Sequence, residues 1–104
     1  MLNSIRNHFR RKAILNGLRR QRHLLHAGLT GIADVVEVKP TCIQVNDLIE
    51  IRLELGIHKP DGRIIMTESR SVVDKTLIPV AGQKLKIHFL PRDTAYILIM
   101  QATS

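Results

Sequence analysis

The stretch that decides the fold, residues 49–62, reads IEIRLELGIHKPDG. Its odd-numbered positions from Ile49 to Ile57 are all apolar, whereas the even-numbered positions hold charged residues, a glycine and a histidine. Successive side chains point to opposite faces of a strand, so this alternation predicts a strand with one buried face. Lys59-Pro60-Asp61-Gly62 then predicts a turn, because proline presets φ and glycine accepts a positive φ. The chain returns through residues 64–73, which completes a predicted hairpin.

Shorter alternating segments lie on both sides of this hairpin. Residues 31–38 predict a strand, and the uneven spacing of Val35 and Val38 predicts a bulge within it. The other predicted strands are residues 41–45, 84–89 and 96–100. Five or six short strands at roughly ten-residue spacing, with no helical stretch between them, indicate a small barrel or sandwich. We predict a mainly β fold, a small antiparallel barrel of five or six strands.

The segment that precedes these strands has a helical pattern. Apolar residues recur on one face up to Ala13, and the leucines that follow cluster on nearly the opposite face. The face changes at Asn16-Gly17, a pair that suits the end of a helix. We therefore predict two short helices, about residues 4–15 and 18–26, or one helix kinked at Asn16-Gly17. Residues 1–27 form a basic helical leader in this interpretation, and residues 28–104 form the small β-barrel domain.

Charge is distributed unevenly between these two parts. The chain has 16 Lys and Arg residues, 9 Asp and Glu residues and a formal net charge of +7. All of the carboxylates lie after residue 26, where Lys and Arg equal them in number, so the leader carries the whole excess. A cationic segment on a charge-balanced domain indicates an attachment device for an anionic partner. The predicted partner-binding residues are Arg6, Arg10, Arg11, Lys12, Arg19, Arg20 and Arg22.

Catalytic patterns are weak in this chain. A nucleophile needs a base beside it, usually histidine, and the domain offers only His58 and His88, both of which we expect to be solvated strand residues. Glu50 and Glu54 flank Arg52 along one strand face, which predicts a salt-bridged surface. No glycine-rich phosphate loop occurs. We predict no enzyme activity, no catalytic residues and no cofactor.

Metal and redox chemistry are also disfavoured. His23 and His26 can share a helical face, but a zinc site needs further ligands that the sequence does not supply, so we predict no metal site. The single cysteine, Cys42, excludes an internal disulfide and fits a reducing compartment. Because Cys42 stands in an apolar run, we expect a buried and inert thiol.

The length of the apolar runs and the composition of the leader bear on the cellular location of the protein. The longest apolar runs fall far below the roughly 20 residues of a membrane-spanning helix, and the leader lacks the continuous apolar core of a secretory signal. We predict a cytoplasmic protein, with peripheral contact to a membrane as one option. The Arg-rich, acid-free leader also resembles a mitochondrial presequence, which stays open as an alternative.

Turn and core motifs recur in a fixed order from about residue 28 to residue 100. They are Gly31 with Ala33-Asp34-Val35, Thr41–Asn46, Ile49–Ile57, Lys59–Gly62, Pro79–Gly82 and Leu85–Asp93. In this order the chain resembles a small β-module of bacterial proteins, often appended to membrane helices or short basic leaders. The resemblance implies an OB-like or SH3-like barrel and no particular chemistry. Members often carry glycine at the position of Cys42, and a transmembrane segment where this chain has its basic helix.

These observations together predict a non-catalytic binding or adaptor module. Its cationic N-terminal helix docks on an anionic partner surface, either a protein or a membrane. The alternative is a nucleic-acid-binding protein in which the helix and one barrel face form a single groove, with Lys84, Lys86 and His88 on the barrel side. An open edge strand would in addition allow two copies to pair as a homo-oligomer.

Overall fold

The chain is mainly β, as the sequence predicts, and has one helix ahead of five strands. This computed structural model describes residues 2–103, and the side chains of residues 8–100. The elements are α1 Leu2–Ala27, β1 Leu29–Val45, β2 Leu48–His58, β3 Ile64–Asp74, β4 Lys84–Leu90 and β5 Asp93–Thr103. The alternative of six strands is wrong, because residues 31–38 and 41–45 belong to the single long strand β1.

The hairpin of β2 and β3 is the best-paired part of the sheet. Its register runs without a shift from Leu48 opposite Asp74 to His58 opposite Ile64. The predicted turn closes it: Lys59 N–H donates to the Arg63 carbonyl and Gly62 N–H donates to the Lys59 carbonyl. Gly62 has a φ of 87°, a conformation that side chains with a Cβ avoid.

The long strand β1 pairs with two neighbouring strands, one along each edge. Its first part pairs with β4, and most of its length pairs with β2. The register with β2 shifts between Val35 and Glu37, which confirms the predicted bulge. A second shift, between Pro40 and Gln44, contains Cys42 with a φ of 67°. Cys42 is exposed there, so the expectation of a buried thiol is wrong: the irregular backbone turns this residue out of the sheet.

The five strands form a ring in the order β1-β2-β3-β5-β4, with β4 returning to β1. Four of the junctions are antiparallel, as predicted, but β3 and β5 run parallel. That junction contains a single described residue pair, Arg70 opposite Tyr96. Side chains bridge it elsewhere: Ser69 Oγ donates to the Thr94 carbonyl, and Ser71 Oγ donates to the Ile97 carbonyl at 3.0 Å. The ring is therefore least tightly closed between β3 and β5.

The core fills the inside of the ring with aliphatic side chains. The apolar positions of β2 predicted from its alternation are all buried, and they pack against inward residues of the other strands. Phe89 is the one aromatic member of this core cluster among the described residues. The cluster is Ala33, Val35, Ile49, Ile51, Leu53, Leu55, Ile57, Leu85, Ile87, Phe89 and Ile97.

The N-terminal segment forms one helix, not two. Helical backbone runs through Asn16 and Gly17 without interruption, from Leu2 to Ala27. The helix ends where Gly28 N–H donates to the Leu24 carbonyl at 2.8 Å, and β1 begins at Leu29. A helix of this length measures about 39 Å at 1.5 Å per residue. The longest dimension of the whole molecule is 52 Å, so the helix accounts for most of it.

Candidate functional site

One stripe of α1 is buried against the ring. It consists of Ile14, Gly17, Gln21 and Leu24, spaced three, four and three residues apart, which places them on one helical face. We call residues 14–27 the docked half of α1. Leu24 is buried, whereas Leu18 and Leu25 are 38% and 47% exposed. The helix is therefore held by a stripe in which only two of the four residues are aliphatic.

Gln21 anchors the docked half to the open part of the ring. Its Oε1 atom accepts a hydrogen bond from Val72 N–H at 2.6 Å and one from Ser71 Oγ at 3.3 Å. Val72 lies on β3 beyond the single residue pair that joins β3 to β5. The glutamine therefore satisfies a buried backbone donor that no strand partner reaches. Sequence reasoning missed this residue, because a polar side chain on a basic helix predicts solvent exposure.

A buried cluster around Tyr96 lies beneath the same helix. Tyr96 Oη donates to Glu50 Oε2 at 3.2 Å, and Arg70 Nη1 lies 3.4 Å from Glu50 Oε1. Glu50 is only 3% exposed, so its predicted place in a surface ion pair with Arg52 is wrong. Arg52 instead pairs with Glu68. Burial, and then the neighbouring Glu50 carboxylate, raise the pKa of Tyr96 to about 12, so its hydroxyl stays protonated and donates.

Gly17 allows the helix to approach this cluster. A Cβ atom at position 17 would lie 2.5 Å from Tyr96 Oη and 2.6 Å from Val72 Cγ2. The sequence pattern identified Gly17 as a terminator or kink of the helix, but its role in the fold is close contact with the sheet. Both functions call for glycine, which is why the sequence alone does not separate them.

The N-terminal part of α1 extends past the ring. Residues 8–12 are all exposed, and Ile14 is the first buried position along the helix. We call residues 2–13 the projecting half; it measures about 18 Å at 1.5 Å per residue. Phe9 in this half is 65% exposed although it is one of the few aromatic residues of the chain. Residues 8–12 are therefore available to a partner on several sides.

The structure places the predicted cations in two groups. Arg10, Arg11 and Lys12 lie in the projecting half, and Arg19, Arg20 and Arg22 lie in the docked half; all six are exposed. Arg6 lies outside the described side chains.

Arg20 is the one cation of α1 within ion-pairing distance of a carboxylate among the side chains of residues 8–100. Its Nη2 atom lies 3.7 Å from Asp93, and its guanidinium lies 4.6 Å from the centroid of the Tyr96 ring. A pocket of about 270 Å³ between α1 and β5 is lined by Arg19, Arg20, His23, Leu24, Leu90, Asp93 and Tyr96. Arg20 thus serves the attachment of the helix, while the other described cations of α1 face solvent.

The predicted residues on the sheet do not join this group. Lys84 and Lys86 are exposed on β4, and His88 is half-buried, with an Nδ1 atom that has no hydrogen-bond partner. The helix reaches β4 at its other end, where Gly28 lies beside the backbone of Phe89. At about 3.3 Å per residue, Lys84 is some 17 Å along β4 from that point. Lys86 is some 10 Å from the same point, so both lysines lie away from the C-terminal end of α1.

Two further titratable groups, His58 and Asp74, are held by local partners. His58 Nε2 lies 2.6 Å from Asp34 Oδ2, so His58 is a half-buried cross-strand partner and not the solvated residue that was expected. Hydrogen bonds from Thr76 lower the pKa of Asp74. Asp74 lines a mainly apolar groove of about 560 Å³ beside β3 and β5. Within residues 2–103 no three His, Cys, Asp or Glu residues are grouped as metal ligands are.

Comparisons with protein-family models, with curated proteins and with solved structures found no match to this chain. None of the helical segments within residues 2–103 has both the length and the apolar character that crossing a lipid bilayer requires. The geometry of α1 on the ring is therefore the basis for a functional assignment.

Proposed function

We propose that this protein is a non-catalytic binding module in which the strand ring holds α1 in place and the projecting half docks on an anionic partner surface. The observation that carries the proposal is the group Arg10, Arg11 and Lys12. These three cations are exposed, and none of them has a carboxylate within ion-pairing distance among the described side chains. Helix α1 contains no acidic residue, so nothing on it offsets their charge.

The ring serves this function as a rigid support. Its Lys and Arg residues are balanced by carboxylates, and several of them are used in pairs such as Arg52 with Glu68 and Lys75 with Asp47. We propose that the ring is a small barrel of the OB-like type, because five strands with one weakly closed junction match that partly open architecture. The SH3-like alternative is less well supported for the same reason.

Cellular location and self-association are parts of the same proposal. We place the protein in the cytoplasm because the exposed thiol of Cys42 would stay reduced there. Pairing between two copies through a strand edge stays a prediction.

The test compares two variants that lose the same charge. The helix triple variant neutralises the projecting half: Arg10→Gln, Arg11→Gln and Lys12→Gln. The ring triple variant neutralises three cations that the ring carries: Lys39→Gln, Arg63→Gln and Lys75→Gln. Binding of the full chain to polyglutamate, to vesicles containing phosphatidylserine and to duplex DNA is then measured by biolayer interferometry.

The proposal predicts that the full chain binds at least one of these three probes. The helix triple variant loses that binding, while the ring triple variant keeps it. Failure of the unmodified protein to bind any of the three would contradict the proposal. Equal loss in the two variants would contradict it as well, because net charge and not the projecting half would then determine binding.

A further inference from the structure

The apolar residues of the projecting half lie on a different side of α1 from the stripe that packs on the ring. At about 100° per residue they share one sector, about 80° wide, which we call the apolar sector. The buried stripe of the docked half is centred roughly 100° away around the same helix. Phe9 is 65% exposed, so the ring does not cover the sector at that residue. The apolar sector is Leu2, Ile5, Phe9 and Ala13.

Cations lie beside the apolar sector but not within it. Lys12 is placed at one edge, about 60° around the helix from Phe9, and Arg10 is placed about 100° from Phe9 on the other side. Arg11 lies on nearly the opposite side of the helix. Long basic side chains lay their stems along apolar surface while their charged ends stay in water. The projecting half therefore combines an apolar side with flanking positive charge.

This combination is typical of a helix that lies in the surface of a bilayer. Such a helix inserts its apolar side at the boundary of the acyl chains and binds anionic headgroups with its cations. A cation near an anionic lipid surface contributes roughly fivefold in affinity, so several cations strengthen a small apolar contact. Phosphates of a nucleic acid attract the same cations but provide no apolar layer for the exposed Phe9. The exposed aromatic ring therefore favours lipid.

The docked half does not continue the apolar sector. Arg20 is placed in the same sector about two turns further along the helix. Its guanidinium lies 3.7 Å from Asp93 and 4.6 Å from the centroid of the Tyr96 ring, so this part of the sector is polar and contacts the ring. Contact with lipid is therefore confined to residues 2–13, about three turns of helix.

We propose that the partner of the projecting half is the surface of a bilayer that contains anionic lipids. The apolar sector inserts there with Phe9, while Arg10 and Lys12 bind headgroups at its two sides and the ring stays in water. This inference rests on the proposed function, and it names the partner. Arg11 points away from the bilayer and contributes least to binding among the three cations.

Tryptophan fluorescence tests the insertion. The chain contains no tryptophan, so Phe9→Trp introduces a single fluorophore. With vesicles of phosphatidylcholine and phosphatidylserine, its emission is expected to shift to shorter wavelength, because the indole leaves water for the bilayer interface. Leu15→Trp is the matched control, since Leu15 is 48% exposed and lies about 120° around the helix from Phe9. A shift in neither variant, or an equal shift in both, would overturn the inference.

Cosedimentation with the same vesicles measures the affinities. Phe9→Ser is expected to weaken binding roughly 10-fold, because the transfer of the phenyl ring out of water is lost, whereas Leu15→Ser is expected to have little effect. Lys12→Gln is expected to weaken binding roughly fivefold, and Arg11→Gln less. If Phe9→Ser binds the vesicles as tightly as the unmodified protein, the apolar sector does not insert and the inference is wrong.

Polyglutamate and duplex DNA separate this inference from the proposed function. Binding to either of them without binding to the vesicles would refute lipid as the partner and leave the binding module standing. Vesicle binding without the fluorescence shift would refute insertion and leave the module standing as well. Binding to none of the three would refute both. Circular dichroism of each variant confirms that the fold is kept, which is expected because every substituted residue is exposed.

Discussion

Replacing Gly17 by alanine tests how α1 is held. In an ordinary helix the change is stabilising by about 1 kcal/mol, because alanine is the better helix former. Here the new methyl group would lie 2.5 Å from Tyr96 Oη and 2.6 Å from Val72 Cγ2. Tyr96 is 7% exposed and Val72 is 5% exposed, so neither side chain has free space into which to move. The helix must therefore shift away from the ring.

The magnitude follows from two opposing terms. Overpacking of a well-packed site costs typically about 1–3 kcal/mol. Movement of Tyr96 would also weaken its hydrogen bond to the buried Glu50 carboxylate, and a bond to a charged group is worth about 1.5–3 kcal/mol. After the gain in helix propensity of about 1 kcal/mol is subtracted, Gly17→Ala is expected to reduce the free energy of unfolding by about 0–2 kcal/mol from overpacking alone, and by up to about 5 kcal/mol if the hydrogen bond is also lost.

Urea denaturation monitored by circular dichroism measures this change. Asn16→Ala is the matched control, because it adds helix propensity at the neighbouring exposed position without facing the sheet. The control is expected to be neutral or stabilising by about 0.5 kcal/mol. A double-mutant cycle with Val72→Ala is expected to show favourable coupling, because Gly17→Ala costs less when one of the two close contacts is already absent. If Gly17→Ala stabilises the protein, Gly17 does not mark a close contact and the account of the docked half is wrong.

Three further predictions concern other parts of the structure. Gln21→Leu is expected to reduce the free energy of unfolding by about 1–3 kcal/mol, because it leaves Val72 N–H buried without an acceptor; urea denaturation measures this. Because the pKa of Tyr96 is raised in the folded protein, the free energy of unfolding is expected to fall by about 1–2 kcal/mol as pH rises from 10 to about 12. Folded Tyr96 stays protonated in that range while the unfolded chain loses its proton; pH-dependent urea titration measures this. The Cys42 thiol is expected to react fully with a maleimide in the folded protein, as followed by mass spectrometry.

Controls make each of these outcomes decisive. Arg22→Leu changes the exposed neighbour of Gln21 and is expected to leave stability almost unchanged, so equal effects of the two variants would contradict the role of Gln21. Tyr96→Phe should remove the stability change above pH 10, and its persistence would assign that change to another group. Reaction of Cys42 only in denaturant would show a buried thiol and contradict the exposed bulge.

The parts of the fold that were predictable depend on local pattern. Alternation of apolar and polar residues predicts strand β2, and turn residues predict the turn before Arg63. The uneven spacing of valines predicts the bulge after Val35. The parallel junction of β3 with β5 was not predictable, because it brings together Arg70 and Tyr96 and is secured by serine side chains and by Gln21. The exposure of Cys42 depends on a register shift that an apolar run does not reveal.

The candidate site was predictable as a charge distribution but not as a geometry. Counting charges was enough to identify the cations of α1. Their division into a docked and a projecting half depends on the stripe of Ile14, Gly17, Gln21 and Leu24, whose spacing is helical but whose middle residues are not aliphatic. A search for helical spacing that allowed glycine and glutamine at packed positions would have found it. Nothing local indicates that Glu50 is buried, because the helix that covers it is distant in sequence.

Hydrogen–deuterium exchange of the full chain tests most directly whether α1 is divided into a docked and a projecting half. The account predicts that amides of residues 18–27 exchange about as slowly as those of β2, while amides of residues 2–13 exchange much faster. Addition of whichever anionic probe the full chain binds is expected to slow exchange in the projecting half and to leave β2 unchanged. Fast exchange along the whole of α1 would contradict the account, because the helix would then be a detached arm and not a part held by the ring.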